Sequence, residues 1–234
     1  MKRAMILGAG LGLRMRPLTL QTPKPLIPIG GRAIIDRLID KLVAAGIERV
    51  VVNVHHLADK MRDHLNRRAD IEIIISDESG ALLDSGGGVR NALHHLGNEP
   101  FLVLNGDSVW IDTFPPVLNR LIATFDPAKM DFLMLLSATV QSIGYEGSGD
   151  YDLASDGRAR RRLPSHQAAF IYAGLHALHP RVFAAAPDEP FSLNRLWDIA
   201  QDSDRLFGLR HHGPWLHAGT PEGLEEIEGF LARY

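Results

Sequence analysis

Short apolar runs alternate along the first half of the chain with segments whose hydrophobic positions recur at helical spacing. "RAMILG", from Arg3, reads as a buried strand. "RAIIDRLIDKLVAAG" sets Ile34, Ile35, Leu38, Ile39 and Leu42 on one helical face, with Gly46 as a C-terminal stop. The strand "RVVVNV" follows, then a helix near "LADKMRDHL", the strand "DIEIIIS", a helix in "GGVRNALHHLG" and the strand "PFLVLNGD". Strands separated by helices are joined by right-handed crossovers, so the expected class is α/β, with a mixed, mostly parallel central sheet covered by helices on both faces. Ligands of such sheets sit beyond the carboxyl ends of the strands. The glycine loop after Leu7 and the "NGD" after Leu104 both fall there and could face one crevice.

The second half is less regular. "DFLMLLSATV" and "QAAFIYAGLHAL" read as strands, with "YDLASDGRARRR" as a hairpin between them. A helix near "NRLWDIAQ", a strand at "LFGLRHH", the segment "GPWLHAGTPE" and a closing helix complete the chain. No repeat, low-complexity tract or linker interrupts it, so residues 1–234 are expected to form one domain.

Composition narrows the chemistry. The 234 residues are 45% hydrophobic and 23% charged, an ordinary globular balance. With no cysteine, disulfides, thiolate nucleophiles and cysteine zinc sites are excluded. A net charge of −3 gives no general pull towards nucleic acid. The one basic run, Arg158 to Arg162, is explained by a hairpin with charged edges as well as by a binding patch. No apolar stretch is long enough to span a membrane, and the first strand runs straight into the glycine loop without a leader-like segment, so a cytoplasmic protein is the expectation. The oligomeric state is left open.

The loop itself, "GAGLGLRMRPLTLQTPKPL" from Gly8, admits two readings. A dinucleotide fingerprint needs Gly-x-Gly-x-x-Gly running directly into a helix, with an acidic residue about 20 positions on. Here Leu13 stands at the third glycine position, Pro17, Pro23, Pro25 and Pro28 bar a continuous helix, and the second strand ends near Asn53 rather than an acid. A Walker loop fails for want of Gly-Lys-Ser/Thr. What remains is a glycine-rich turn whose amides can approach an anion, followed by two cations, Arg14 and Lys24.

With "LLDSGGGVRNAL", "LNGDSVW", "YAGLHALHP" and "WLHAGTPEGLEEIE", that loop resembles the signature of the sugar-1-phosphate nucleotidyltransferases over nearly the whole chain. The short length and the glycines at 86–88 look most like the N-acetylmuramate α-1-phosphate uridylyltransferases of cell-wall recycling. The resemblance implies a Rossmann-like domain, with a nucleotide-binding half over about 1–112 and a sugar-binding half over about 113–234. It implies transfer of a uridylyl group from UTP to a sugar 1-phosphate, with Mg2+ as cofactor. Glucose 1-phosphate with dTTP or UTP, mannose 1-phosphate with GTP, and a non-catalytic nucleotide-sugar sensor are the alternatives.

Carried over residue by residue, the resemblance makes Arg14, Lys24 and Asp107 catalytic. Arg14 would grip the β- and γ-phosphates, Lys24 would lie between the α-phosphate and the sugar phosphate, and Asp107 would hold magnesium, which takes hard oxygen ligands. Ala9, Gly10, Gly12, Glu78, Ser85, Gly86 and Asn105 would meet the nucleotide, and Gly174 the sugar. Asp84 or Ser85 would equally serve as an N-cap, and Gly174 as a strand bulge. His217 stands where relatives usually carry a second aspartate, and so is a candidate metal ligand of a different chemical kind.

Overall fold

A computed structural model describes residues 1–234, the side chain of Ala185 excepted. Its centre is a nine-stranded sheet. The strands Arg3–Leu7, Arg49–Val54, Glu72–Asp77 and Phe101–Asn105 pair in parallel, in the order 101–105, 3–7, 49–54, 72–77. Phe170–Leu178 then joins antiparallel to Phe101–Asn105 and carries Phe132–Ala138 on its other side, with Leu206–Arg210 parallel beyond that. Tyr151–Leu153 and Ala159–Arg161 form the expected charged hairpin at one edge. Only Phe170–Leu178 and Ala159–Arg161 run against the rest, so the sheet is mixed and mostly parallel in strand direction. Strands from before residue 112 form one side of the sheet and those from after it the other, and the pairing of Phe101–Asn105 with Phe170–Leu178 joins them into one sheet.

Alternation along the buried strands fills both faces. Ala4 and Ile6, Val50 and Val52, Leu102 and Leu104 join one core cluster, while Met5, Val51 and Val103 join the other. Helix α1 (Ile34–Ala44) buries Ile34, Ile35, Leu38, Ile39 and Leu42 on the first face, the stripe expected from the sequence. Each such side chain contributes about 1.5–3 kcal/mol on leaving water. Helix α2 (Ala58–Leu65) and, later in the chain, α4 (Val117–Thr124) and α6 (Pro221–Leu231) join that face through Met61, Leu121 and Ile227. On the opposite face, α3 (Asp84–Leu96) and α5 (Asn194–Asp202) bring Val89, Ala92, Leu196 and Trp197.

Two elements depart from the sequence reading. Helix α4 was not anticipated: after Pro115 and Pro116, the spacing Val117, Leu118, Leu121 is only one turn of signal. A small second sheet joins Ser108–Trp110 antiparallel to Trp215–His217, with Ser142–Ile143 beside it. Strands of two or three residues carry no readable alternation, yet this ladder pairs Trp215 with Trp110 and His217 with Ser108, next to Asp107. Among the described residues no helix is long and apolar enough to cross a membrane.

Candidate active site

The carboxyl ends of the parallel strands open into a cleft of about 650 Å³. The chain leaves the first strand at Leu7, and the amide of Gly8 donates to Asn53 Oδ1 at 2.8 Å, tying the loop to the neighbouring strand. Gly12 sits at φ 60°, where a side chain would be strained, and the turn it makes leads into Leu13–Met15, with Leu13 and Arg14 exposed and Met15 buried. A Cβ there would lie 2.7 Å from Thr19 Cγ2, and the Thr19 hydroxyl donates to Gly12 O at 2.8 Å. The loop is therefore folded back on itself. Arg14 lines the cleft, exposed, and no ion pair or hydrogen bond engages its guanidinium among the described residues.

Lys24 begins a short 3-10 turn, Lys24–Leu26, with Pro23 and Pro25 on either side. Its Nζ donates to Asp107 Oδ2 at 2.5 Å, and the two side chains are 11% and 32% exposed. Gly106 explains how residues so far apart in sequence meet. Its amide donates to Leu7 O at 2.9 Å, and a Cβ on it would fall 2.6 Å from that carbonyl and 3.0 Å from Pro25 Cγ. Only glycine lets the 105–107 turn cross the end of the first strand this closely, and Asp107 lands beside Lys24 as a result.

On the far side of the cleft, Asn53 Nδ2 donates to Glu78 Oε1 at 2.8 Å. Glu78 is 3% exposed, and its Oε2 has no partner among the described residues. Burial pushes its carboxyl up, and the Asn53 amide partly opposes that shift. A desolvated carboxylate oxygen at the wall of a cleft is stabilised by any donor a ligand brings.

Of the remaining expected residues, Ala9, Gly10, Ser85 and Asn105 line this cleft, and Gly86 and Gly174 are not part of its lining. The Gly86 amide donates to Phe191 O at 2.8 Å, and a Cβ on Gly86 would lie 2.3 Å from the Phe191 ring. Its smallness thus serves the docking of α3 on the 191–193 segment. The Ser85 hydroxyl accepts from the Leu193 amide at 3.0 Å, and Asp84 Oδ1 accepts from the Ser85 amide. Neither acts as an ordinary N-cap. Gly174, at φ 75°, marks a register shift in Phe170–Leu178, and a Cβ there would fall 1.6 Å from Ser108 Oγ. It buttresses the Asp107 turn from below. Asn53, Gly219, Leu13 and Leu82 line the cleft as well and were not expected. A lone asparagine among the buried residues of "RVVVNV" was the available signal for the first.

His217 packs its ring against Trp215 and Tyr145, at centroid distances of 5.2 and 5.8 Å. A Cβ on the cleft-lining Gly219 would lie 2.1 Å from His217 Nε2, so the imidazole reaches over that glycine towards the cleft. Burial lowers its basicity; of the charged groups facing it, Asp107 and Asp150 oppose that shift, and Lys24 and Arg14 reinforce it. Among the described residues no three His, Cys, Asp or Glu side chains form a metal cage. Asp107, which lines the cleft, offers a divalent cation one carboxylate there. That suits an ion completed by phosphate oxygens and water.

The family model described as nucleotidyl transferase matches residues 3–146. The chain is 41% identical over 235 residues to the N-acetylmuramate alpha-1-phosphate uridylyltransferase of Caulobacter vibrioides, covering 99% of this chain and 97% of that one. It is 31% identical to the protein of the same name from Neisseria meningitidis serogroup B, covering 99% of each. A UDP-glucose pyrophosphorylase structure from Acinetobacter baumanii superposes with a TM-score of 0.80 at 18% identity, covering 97% of this chain and 92% of that one, a likeness of fold.

Proposed function

Because this chain belongs to the nucleotidyl transferase family, we propose that it transfers a uridylyl group from UTP to N-acetylmuramate α-1-phosphate, giving UDP-N-acetylmuramate and pyrophosphate. The observation that carries the reading is the meeting of Lys24 and Asp107 at the mouth of the glycine loop, in a cleft also lined by Arg14, which has no partner among the described residues. It is joined by identity to two uridylyltransferases over the full chain.

The reaction forms a bond from a sugar-phosphate oxygen to the α-phosphorus and breaks the bond to the β-phosphate, which leaves as pyrophosphate. Both reactants are polyanions, so positioning and charge neutralisation dominate the barrier. Arg14 offers a planar fork to the outer phosphates. Lys24 turns its ammonium from Asp107 towards the charge gathering at the α-phosphate. The loop amides of Ala9 to Gly12 cradle the triphosphate. Glu78 lines the cleft, and its carboxylate would accept the N3–H of uracil, a proton that cytosine lacks. Asp107, with His217 beside it, would hold a divalent cation, Mg2+ in the simplest case, which supplies positive charge between the two phosphates. On this reading the protein works in the cytoplasm, in peptidoglycan recycling.

Pyrophosphate release is measured with Mg2+ across UTP, dTTP, CTP and GTP, each with the 1-phosphates of N-acetylmuramate, glucose and mannose. UTP with N-acetylmuramate α-1-phosphate is expected to be the best pair. Equal or faster turnover of glucose 1-phosphate with dTTP or UTP, or of mannose 1-phosphate with GTP, overturns the substrate. Tight UTP binding without release from any pair points to a sensor.

A further inference from the structure

Resting on that reading, we infer that Asn53 is a positioning residue for pyrimidine choice: its side-chain amide ties the glycine loop to Glu78 and locks the Glu78 side chain as an acceptor towards the base.

The bonds on Asn53 fix which way its amide points. Its Oδ1 accepts from the Gly8 amide at 2.8 Å, and its Nδ2 donates to Glu78 Oε1 at 2.8 Å, both within the protein interior. A backbone N–H only donates and a carboxylate only accepts, so the two ends of the amide cannot be exchanged. The surroundings hold the relay in place. Asn53 is 3% exposed and lies in the strand Arg49–Val54, opposite Leu7 on one side and Ser76 on the other. The Glu78 amide donates to Val54 O at 2.8 Å, and His55 Nδ1 donates to the Glu78 carbonyl at 2.6 Å. Gly88 in α3 leaves the space for the link: a Cβ on it would fall 2.8 Å from both Asn53 Nδ2 and Glu78 Oε1.

One carboxylate oxygen of Glu78 is thereby committed to Asn53. The other, Oε2, has no partner among the described residues, and Gly8, Asn53 and Glu78 all line the cleft. A desolvated acceptor favours a ligand that brings a donor, as uracil does with N3–H, over one that brings a second acceptor, as cytosine does with N3. Asn53 decides this choice without touching the base, because it determines which atom of residue 78 is left over.

The test compares kcat/KM for UTP and CTP, each with N-acetylmuramate α-1-phosphate and Mg2+. In Glu78→Gln, Asn53 Nδ2 claims the new carbonyl oxygen and leaves the new –NH2 for the base. The preference for UTP over CTP should then fall by at least about 10² or reverse. A glutamine free of Asn53 would turn its carbonyl to uracil instead, so an unchanged preference overturns the inference. In Asn53→Asp/Glu78→Gln, the new carboxylate accepts from both the Gly8 amide and the new –NH2, which returns a carbonyl to the base. UTP preference should recover to within about tenfold of wild type; a double variant that folds and keeps the preference of Glu78→Gln overturns the inference. Glu78→Gln is nearly isosteric and decides alone if the double variant folds poorly. Either failure leaves the uridylyltransferase reading intact, because the wild type still turns over UTP; a wild type with no UTP turnover overturns both.

Discussion

Two regions of this protein carry basic residues and differ in how their charges are met. In the hairpin at the sheet edge, Arg158 pairs with Asp156 and Asp204, Arg160 with Asp204, and Arg161 with Asp198. Arg162 donates to the carbonyls of Gly149, Pro164 and His166. In the cleft, among the described residues, Arg14 has no partner and Lys24 has only Asp107. The density of basic residues along the sequence favours the hairpin; the unmet charge favours the cleft. A ligand is recognised by groups left unsatisfied, so the sparser cluster is the one proposed to bind.

The hardest blow to that contrast comes from the Lys24–Asp107 pair. Lys24→Ala and Asp107→Ala are each expected to lower turnover by at least about 10², the scale of one lost transition-state stabiliser. Pyrophosphate release under saturating substrates checks this, and near-normal rates in either variant would remove both residues from the chemistry. Arg14→Ala is expected to be milder, raising the KM for UTP by about tenfold, as loss of one charge-assisted contact does. An unchanged KM would mean that its free guanidinium does not meet the triphosphate.

How much of this could be read in advance follows the same division. The parallel strands and α1 were legible because buried strands and amphipathic helices write their periods into sequence. Arg14 and Lys24 stood out on the glycine loop and Asp107 through the resemblance of "LNGD"; that Lys24 and Asp107 meet is what the structure adds. The small sheet that sets His217 beside Asp107 was not, since strands of two or three residues have no period and their pairing is decided by tertiary contacts. Gly86 and Gly174 were read as ligand contacts, whereas their missing Cβ atoms make room for Phe191 and Ser108. A glycine records that something comes close, not whether it is ligand or protein.

Unmet polarity must face open volume to matter for binding, and His176 sharpens the point. It is fully buried, accepts from the Tyr172 hydroxyl at 2.7 Å, and its Nε2 has no partner among the described residues, as is true of Trp197 Nε1 nearby. Full burial drives its basicity down to about 3. The unfolded chain therefore takes up a proton below about pH 6.5 that the folded chain refuses, and stability falls by about 1.4 kcal/mol per pH unit between there and pH 3. His176→Gln, which keeps an acceptor for Tyr172, should flatten that fall by about 2 kcal/mol between pH 6.5 and 5. Parallel stability curves for the two proteins would show that some other group sets the acid sensitivity.

The smallest expected effect is the most exacting for the contrast. Arg160 and Asp204 form an ion pair whose side chains are 50% and 54% exposed. At that exposure the attraction is screened and offset by the entropy of holding two side chains still, so Arg160→Ala should cost under about 1 kcal/mol. The cost should shrink further as salt screens the pair in the wild type. Turnover and the KM for UTP should stay at wild-type values, because the guanidinium is already neutralised and faces α5 through the Gln201 carbonyl rather than the cleft. Denaturant melts at low and high salt, run beside the pyrophosphate assay, read both quantities. A variant that folds normally yet loses UTP would mean that a paired arginine can still recruit a polyanion, and charge satisfaction would no longer separate the two regions.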